Sequence, residues 1–263
     1  MIQILKLGGS VITNKNRKTT PRKSVIKRLV REIIKAKNKK EFKLILVNGA
    51  GSFGHIPAKK YGIDNVIKDE KTKFGFTLVH KYVEDLNRII WNYLRELNVS
   101  AFPVHPSSFI VQKDCKIVKF DTTIIKKLLD FDIIPLLYGD GVVDLKKGYS
   151  IISGDDIAPY LANKLHVKKI LMGTDTDGIF NKDPNLYKNS KRIEEVNGKN
   201  YKRVFKFLSG SNKVDVTGGM KEKFRKLIEN ANGTECVIYD ATVKGNTEKV
   251  LLGEKTGTII KIN

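Results

Sequence analysis

The chain has 263 residues, 41% hydrophobic, with 49 Lys and Arg against 28 Asp and Glu, a formal charge of +21. That length can bury a large core without disulfides, and its two cysteines, Cys115 and Cys236, exclude a disulfide scaffold or a four-cysteine zinc site and point to a reducing compartment. No apolar run approaches the roughly 18 residues of a membrane span, and the opening MIQILKLGGS is interrupted too early to read as a signal peptide, so a cytoplasmic globular protein is expected.

Short β-branched runs at residues 2–7, 42–47, 100–104, 133–138, 168–172, 235–239 and 258–262 predict strands. Helical patterns lie between them at 22–37, 76–97, 123–131, 155–165, 201–208 and 219–231. In the second of these, Val79, Val83, Leu86, Ile90 and Leu94 step by three or four and share a face. Strands that are apolar throughout and alternate with helices predict an α/β fold, a mostly parallel central sheet covered on both sides. Residues 141–152 break the rhythm and read as a β-hairpin inserted around Lys146-Lys147-Gly148. No linker, repeat or low-complexity tail divides the chain, so residues 1–263 are expected to form one domain with two lobes.

The basic residues are spread along the chain and are mostly Lys, whereas base-reading surfaces favour the Arg fork. We read them as solvated surface rather than as a nucleic-acid or membrane interface. Glycines, by contrast, gather where parallel sheets bind ligands, beyond the carboxyl ends of strands. Gly8-Gly9-Ser10, Gly49-Ala50-Gly51-Ser52-Phe53-Gly54, Gly139-Asp140-Gly141 and Gly173-Thr174-Asp175 all follow predicted strands, and Gly218-Gly219 opens a late helix. A single pair is an ordinary tight turn; several at equivalent positions point to a phosphate-rich ligand.

Two familiar motifs fail. Gly49-x-Gly51-x-x-Gly54 matches the dinucleotide fingerprint as a string, but the polar sequel contains no strand ending in the required acidic residue. Read as a P-loop, it has His55-Ile56 where Lys-Ser or Lys-Thr belongs. His55 could instead donate to an anionic oxygen, and a phosphate beside it would favour the imidazolium; a helix-start histidine bonded to a carbonyl is the plainer account. His80, His105 and His166 show no metal spacing and are read as structural. Lys6 stands inside an apolar strand just before Gly8-Gly9, where a buried ammonium needs an anion. Lys15 follows closely. Asp155 could hold such lysines, or could simply cap its helix.

These residues resemble the amino acid kinase superfamily over nearly the whole chain. The resemblance rests on Lys6-Leu7-Gly8-Gly9-Ser10, Gly49-Ala50-Gly51-Ser52, Asp155-x-x-Ala158-x-x-x-Ala162, Thr174-Asp175-Thr176-Asp177-Gly178-Ile179-Phe180 with Asp183-Pro184, and Thr217-Gly218-Gly219-Met220, in that order. Within the superfamily, Gly49-Ala50-Gly51-Ser52-Phe53-Gly54-His55 makes the chain most similar to the isopentenyl phosphate kinases, which phosphorylate isopentenyl phosphate to its diphosphate in an alternative mevalonate pathway of archaea.

The resemblance implies an open αβα sandwich, with the acceptor on the half spanning about 1–165 and ATP on the half spanning about 166–263. It implies a homodimer, and ATP with its Mg2+ as cofactors, the metal carried by the nucleotide. Lys6 and Lys15 would act on the transferring phosphoryl, with Asp155 orienting both. Gly8, Gly9, Ala50, Gly51, His55 and Gly154 would surround the acceptor phosphate. Ser10, Thr174, Asp175, Gly178, Phe180, Asp183, Gly218 and Gly219 would border the nucleotide, with Lys223 or Lys221 on its phosphates. Phe76, Val79, Val83 and Leu86 are candidates for an apolar slot holding the prenyl tail, although such a stripe is more often core. Ala50, where relatives carry glycine, confines the backbone to ordinary angles. Alternatives at this stage are a kinase of the same fold acting on a carboxylate, carbamate, uridylate or phosphonate, a non-catalytic nucleotide sensor, and a nucleic-acid-binding module.

Overall fold

Side chains alternate between the two faces of a strand, and in this chain both faces are apolar, so each must be covered by helices. The computed structural model describes residues 1–63, 69–184, 186–209, 219–231 and 233–261. The chain opens with β1 (Ile2–Leu7), a single turn α1 (Gly9–Ile12), α2 (Lys23–Lys39) and β2 (Lys43–Asn48). A short turn leads to α3 (His55–Tyr61) and the long α4 (Glu70–Glu96). Next come β3 (Ala101–Pro103), β4 (Ile110–Lys113), β5 (Lys116–Phe120), α5 (Thr123–Asp130) and β6 (Ile134–Tyr138). They are followed by β7 (Asp140–Asp144), β8 (Gly148–Ile152) and α6 (Gly154–Lys164). The remainder holds β9 (Lys169–Thr174), β10 (Ile179–Phe180), β11 (Arg192–Ile193), β12 (Glu195–Asn197) and α7 (Tyr201–Ser209). It closes with α8 (Gly219–Asn230), β13 (Glu235–Asp240), α9 (Asn246–Leu252) and β14 (Thr258–Lys261).

Eight strands form the main sheet in the order β12-β14-β13-β9-β1-β2-β6-β3. All are parallel except that β14 runs antiparallel to β13 and carries β12 with it. Ile4, Ile45, Leu137 and Ile170 pack on one side with Ile157 and Leu161 of α6 and Phe224 and Leu227 of α8. Leu5, Leu46, Leu136 and Leu171 pack on the other with α2, α4 and α9. The predicted αβα sandwich is therefore observed. β1 lies between β2 and β9, which come from opposite halves of the chain. The strand order reverses there, and the carboxyl end of such a strand is where an open α/β sheet forms its crevice.

The predicted hairpin is β7–β8, but it is part of a second sheet ordered β5-β4-β7-β8. β4 and β5 turn through Asp114 and Cys115, both left-handed at φ 54° and 62°. Such a turn ordinarily carries Asn-Gly or Asp-Gly, so its sequence gave no hairpin signal. The buried Asp144 carboxylate compensates, accepting the N–H groups of Asp114, Cys115, Lys146 and Lys147 and so fixing both turns of this sheet.

The helix predicted at 76–97 begins six residues earlier, at Glu70, where Asp69 accepts the Thr72 N–H in a capping box. Its 27 residues extend about 40 Å, roughly twice the height of the sheet's strands. Its carboxyl half lies on the main sheet. The amino half extends past it toward the second sheet, and there Val79 and Val83 pack where the two sheets meet, with Tyr138 at the end of β6 and Tyr149 of β8. Leu86 falls on the main-sheet side, among Ile90, Leu94 and Leu136, which removes it from the predicted tail slot. Among the described residues no helix is long and apolar enough to cross a membrane.

Two glycine loops meet behind the crevice. A Cβ on Gly9 would stand 2.3 Å from the Gly51 nitrogen, and one on Gly51, itself at φ +51°, would stand 2.2 Å from Thr13 Oγ1. Gly62 has the same left-handed backbone, φ +64°, but nothing within 4 Å of its would-be Cβ. We expect Gly9→Ala to lower the unfolding free energy by about 3 kcal/mol and Gly62→Ala by about 1 kcal/mol, read from urea denaturation. Equal losses would show that the loops do not need their backbone contact.

Candidate active site

The alternation that places Ile4 under α6 places Lys6 there as well, two residues further along β1. Its side chain is 3% exposed, and Nζ lies 2.7 Å from Asp155 Oδ1 in the first turn of α6. Lys223, the fifth residue of α8, reaches Oδ2 of the same carboxylate at 3.3 Å. One strand and two helices thus converge on Asp155. The capping role is taken by its neighbour: Ser153 donates its N–H (3.0 Å) and hydroxyl (2.6 Å) to Asp156 Oδ2. Asp155 is left to the lysines.

The charges here do not balance. Burial pushes the Lys6 ammonium below its ordinary pKa; Asp155 pulls it back up, but the charges of Lys223 and Lys226 add to the lowering. Burial alone would raise Asp155, yet the charges of Lys6 and Lys223, the bond to Lys6 and the charge of Lys226 together hold it well below the usual carboxylate range. The lysines push both groups downward, because two ammonium groups share one carboxylate; for Lys6 burial is the larger cause. An arriving polyanion would relieve this excess.

The glycine loops bring backbone to this point. The Gly8 N–H donates to the Gly173 carbonyl and the Gly49 N–H to the Leu7 carbonyl, each at 2.8 Å. Thr13 bridges the loops, its hydroxyl donating to the Gly9 carbonyl at 2.8 Å and accepting the Ser52 N–H at 3.0 Å. The bare Cα atoms of Gly8, Gly9, Gly49 and Gly51 are thus required by loop-against-loop packing, beyond any contact with a ligand. Ala50 keeps right-handed angles, φ −74° and ψ −33°, and the left-handed residue is Gly51. The Ala50 methyl is within 2.6 Å of where a Gly54 Cβ would stand and joins the apolar cluster of Val79 and Val83. His55 is exposed and starts α3 directly after this loop. Gly154 leaves room for the Lys6 stem, its would-be Cβ lying 3.5 Å from Cε.

Lys15 is placed differently from the expectation. Its exposed Nζ pairs with Asp175 at 2.7 Å, and Ser10 donates to the other oxygen of Asp175 at 2.9 Å. Burial raises the Asp175 carboxyl, but these two bonds and the Lys15 charge hold it below its ordinary value. Asp155 therefore orients Lys6 and Lys223, and Asp175 holds Lys15. Lys221 lies with its ammonium over the Phe205 ring, 5.6 Å from the centroid, away from Asp155. Of the two alternatives, Lys223 is the lysine in the ion cluster.

Thr174 is buried, its hydroxyl bonded to the Thr176 and Tyr239 carbonyls, so it faces inward. Gly178 closes against Thr258, whose hydroxyl accepts the Ile179 N–H. Phe180 sits in β10 opposite Arg192, and the Asp183 carbonyl accepts the N–H groups of Leu186 and Tyr187. Gly219 begins α8, whereas Gly218 lies outside the described residues. Phe76 stacks 4.4 Å from Tyr149 and occupies the space left by Gly141, whose Cβ would be 2.3 Å from the ring. Phe76, Val79 and Val83 do line one apolar cluster.

The sequence reading missed Thr13, Asp156 and Lys226. Lys226 Nζ is 2.8 Å from Asp156 Oδ1 and 3.2 Å from Ser153 Oγ. A signal existed: Lys226 stands one helical turn beyond Lys223, and Asp156 is adjacent to Asp155.

A cationic crevice at the end of a central parallel strand, framed by glycine loops, defines a phosphotransferase class, and comparison with known proteins places it. The chain belongs to the amino acid kinase family, whose match covers residues 1–240. Within that family it is similar over its full length to isopentenyl phosphate kinases. It is 40% identical to that of Methanocaldococcus jannaschii, with 99% of this chain and 98% of the relative aligned. A crystal structure of an isopentenyl phosphate kinase superposes with a TM-score of 0.85 at 31% identity, covering 99% of this chain and all of the other. A second, an isopentenyl phosphate kinase substrate complex, gives 0.79 at 25% identity, with 99% of each chain covered.

Replacing Asp155 by Asn would leave the Lys6 ammonium buried without a counter-charge, a loss of about 3 kcal/mol by analogy with other broken buried pairs. Because the folded-state pKa of Asp155 is depressed, its contribution is complete above the unfolded value of about 4 and declines as pH falls toward the folded one. The stability gap between wild type and Asp155→Asn in urea titrations should narrow progressively below about pH 4. A gap unaffected by acid would show that the pair does not titrate as described.

Proposed function

We propose that the chain transfers the terminal phosphoryl group of ATP to isopentenyl phosphate, yielding isopentenyl diphosphate and ADP. An oxygen of the acceptor phosphate bonds to the γ-phosphorus, and the bond to the β–γ bridging oxygen breaks. The acceptor is already an oxyanion at neutral pH, so no general base is required. What the reaction needs is two polyanions held in line, with cations where charge spreads over the equatorial oxygens. The observation that carries the reading is the surplus of ammonium groups on Asp155 at the end of β1. The full-length similarity to isopentenyl phosphate kinases supports the choice of acceptor.

In this reading Lys6 and Lys15 act on the transferring group, Lys15 leaving Asp175 when the nucleotide arrives. Gly8, Gly9, Ala50, Gly51, His55 and Gly154 surround the acceptor phosphate, on the half spanning about 1–165. Asp175, Gly178, Phe180, Asp183, Gly219 and Lys223, on the half spanning about 166–263, border the nucleotide together with Ser10 from the other half. Among the described residues no group of three or more His, Cys, Asp or Glu is arranged to hold a metal, and Asp155 is already engaged by two lysines. These residues suit a nucleotide whose own phosphates carry Mg2+, which would neutralise β- and γ-oxygens. Phe76, Val79 and Val83 provide an apolar wall for the prenyl tail beside this charged centre. We extend the reading to a cytoplasmic homodimer, to be checked by sedimentation at micromolar concentration.

The reading is tested by incubating the chain with ATP, magnesium and a panel of acceptors, phosphates beside carboxylates, carbamate, uridylate and phosphonates, and weighing the products. Isopentenyl diphosphate should dominate; a product formed only from a non-phosphate acceptor would replace this reading. Lys6→Ala and Lys15→Ala should each cut kcat about 100-fold or more with an unchanged circular dichroism spectrum, and normal turnover in both would remove their roles. His55→Ala should raise KM for isopentenyl phosphate about tenfold and leave KM for ATP within twofold. Val83→Ala should shift chain-length preference toward longer prenyl phosphates; an unshifted preference would place the tail elsewhere.

A further inference from the structure

We propose that Lys226 is a positioning residue for this transfer: its ion pair with Asp156 sets the register of α8 on α6 and thereby places Lys223 against Asp155. The inference deepens the proposed phosphoryl transfer and rests on that reading.

Two ion pairs connect the helices as parallel rungs. Asp155 and Asp156 are consecutive on α6, and Lys223 and Lys226 are one turn apart on α8. The first rung faces Lys6 and the crevice. The second holds no group assigned to ATP or acceptor. Lys226 is 17% exposed and reaches both Asp156 and the Ser153 hydroxyl, which together cap α6. Its other carboxylate neighbour, Glu222, is 3.9 Å away and bonded to Arg225 at 2.9 Å, so Lys226 stays with Asp156.

The remaining contact between these helices is apolar, with Phe224 and Leu227 packed in the core that holds Ala158 and Leu161. Apolar contact is non-directional and tolerates sliding along a helix. A charge-assisted bond to an oriented cap does not. Lys223 itself cannot set the register, because its carboxylate is shared with Lys6 and its ammonium is the group to be placed. Among the described residues, Lys226 meets a carboxylate that pairs with no other cation.

The test uses the full chain with Lys226→Met, Lys226→Arg and Asp156→Asn, the last keeping the cap geometry while removing the charge. Lys226→Met should lower kcat about tenfold, since small displacements of a catalytic group are amplified in rate. It should leave KM for isopentenyl phosphate within twofold and weaken ATP binding in calorimetry several-fold. Lys226→Arg should restore most of both. Lys226→Met with Asp156→Asn should be no worse than either alone, as expected for two halves of one interaction. Wild-type kcat and ATP affinity in Lys226→Met, failure of Arg to rescue, or additive losses would each overturn the proposal. If the wild type phosphorylates no phosphate acceptor, the substrate reading fails, while the ATP-affinity series still decides the role of Lys226.

Discussion

An ammonium group 3% exposed inside a parallel sheet is tolerable only with its counter-charge in place, and Lys6 with Asp155 is the contact on which the rest of this architecture depends. It ties the central strand to the helix that follows the second sheet. With Lys223 it also ties both to a helix from the last quarter of the chain. The three elements are far apart in sequence, so the crevice exists only when the sheet, α6 and α8 are all assembled.

The same contact explains why the site is electrically incomplete. Opposed carboxylates in equal number would have made a neutral, stable cluster with no affinity for phosphate. Here burial destabilises the Lys6 charge first, Lys223 and Lys226 add to that, and Asp155, shared with Lys223, offsets only part of it. Cations arranged in advance do not have to reorganise when charge moves in the reaction, and this is the largest contribution most phosphoryl-transfer sites make. Lys15, exposed and held by Asp175, is the solvent-facing complement to this buried pair.

Much of this was legible in the sequence, and the gaps have physical causes. The core strands were readable because their apolar runs are continuous, and Lys6 stood out against its run. The start of α4 was hidden because its first turn, Glu70 to Lys73, carries no apolar residue; Glu70, Lys71 and Lys73 face solvent, and Thr72 is buried through its cap with Asp69. β4 and β5 were hidden because the support for their turn comes from Asp144, some thirty residues away. The glycines announced the crevice, but only the folded geometry shows that Gly9, Gly49 and Gly51 are needed for contact between the loops. The pairing of Lys15 with Asp175 rather than Asp155 is likewise a distance, and no spacing encodes it. Lys226 was missed because one lysine among 49 basic residues has no signature until a helix face is known.

The overhang of α4 has a consequence for how such a protein can diverge. Its carboxyl half is committed to the main sheet, and its amino half, with Phe76, Val79 and Val83, packs at the junction with the second sheet, against Tyr138 of β6 and Tyr149 of β8. This apolar cluster thus lies at the margin of the layer that holds Lys6, Asp155 and Lys223. With the acceptor's tail against it, as proposed, substitutions there would reshape the guest that is admitted without touching those charges. A scaffold divided in this way can acquire new clientele by remodelling its annex while its engine room stays the same.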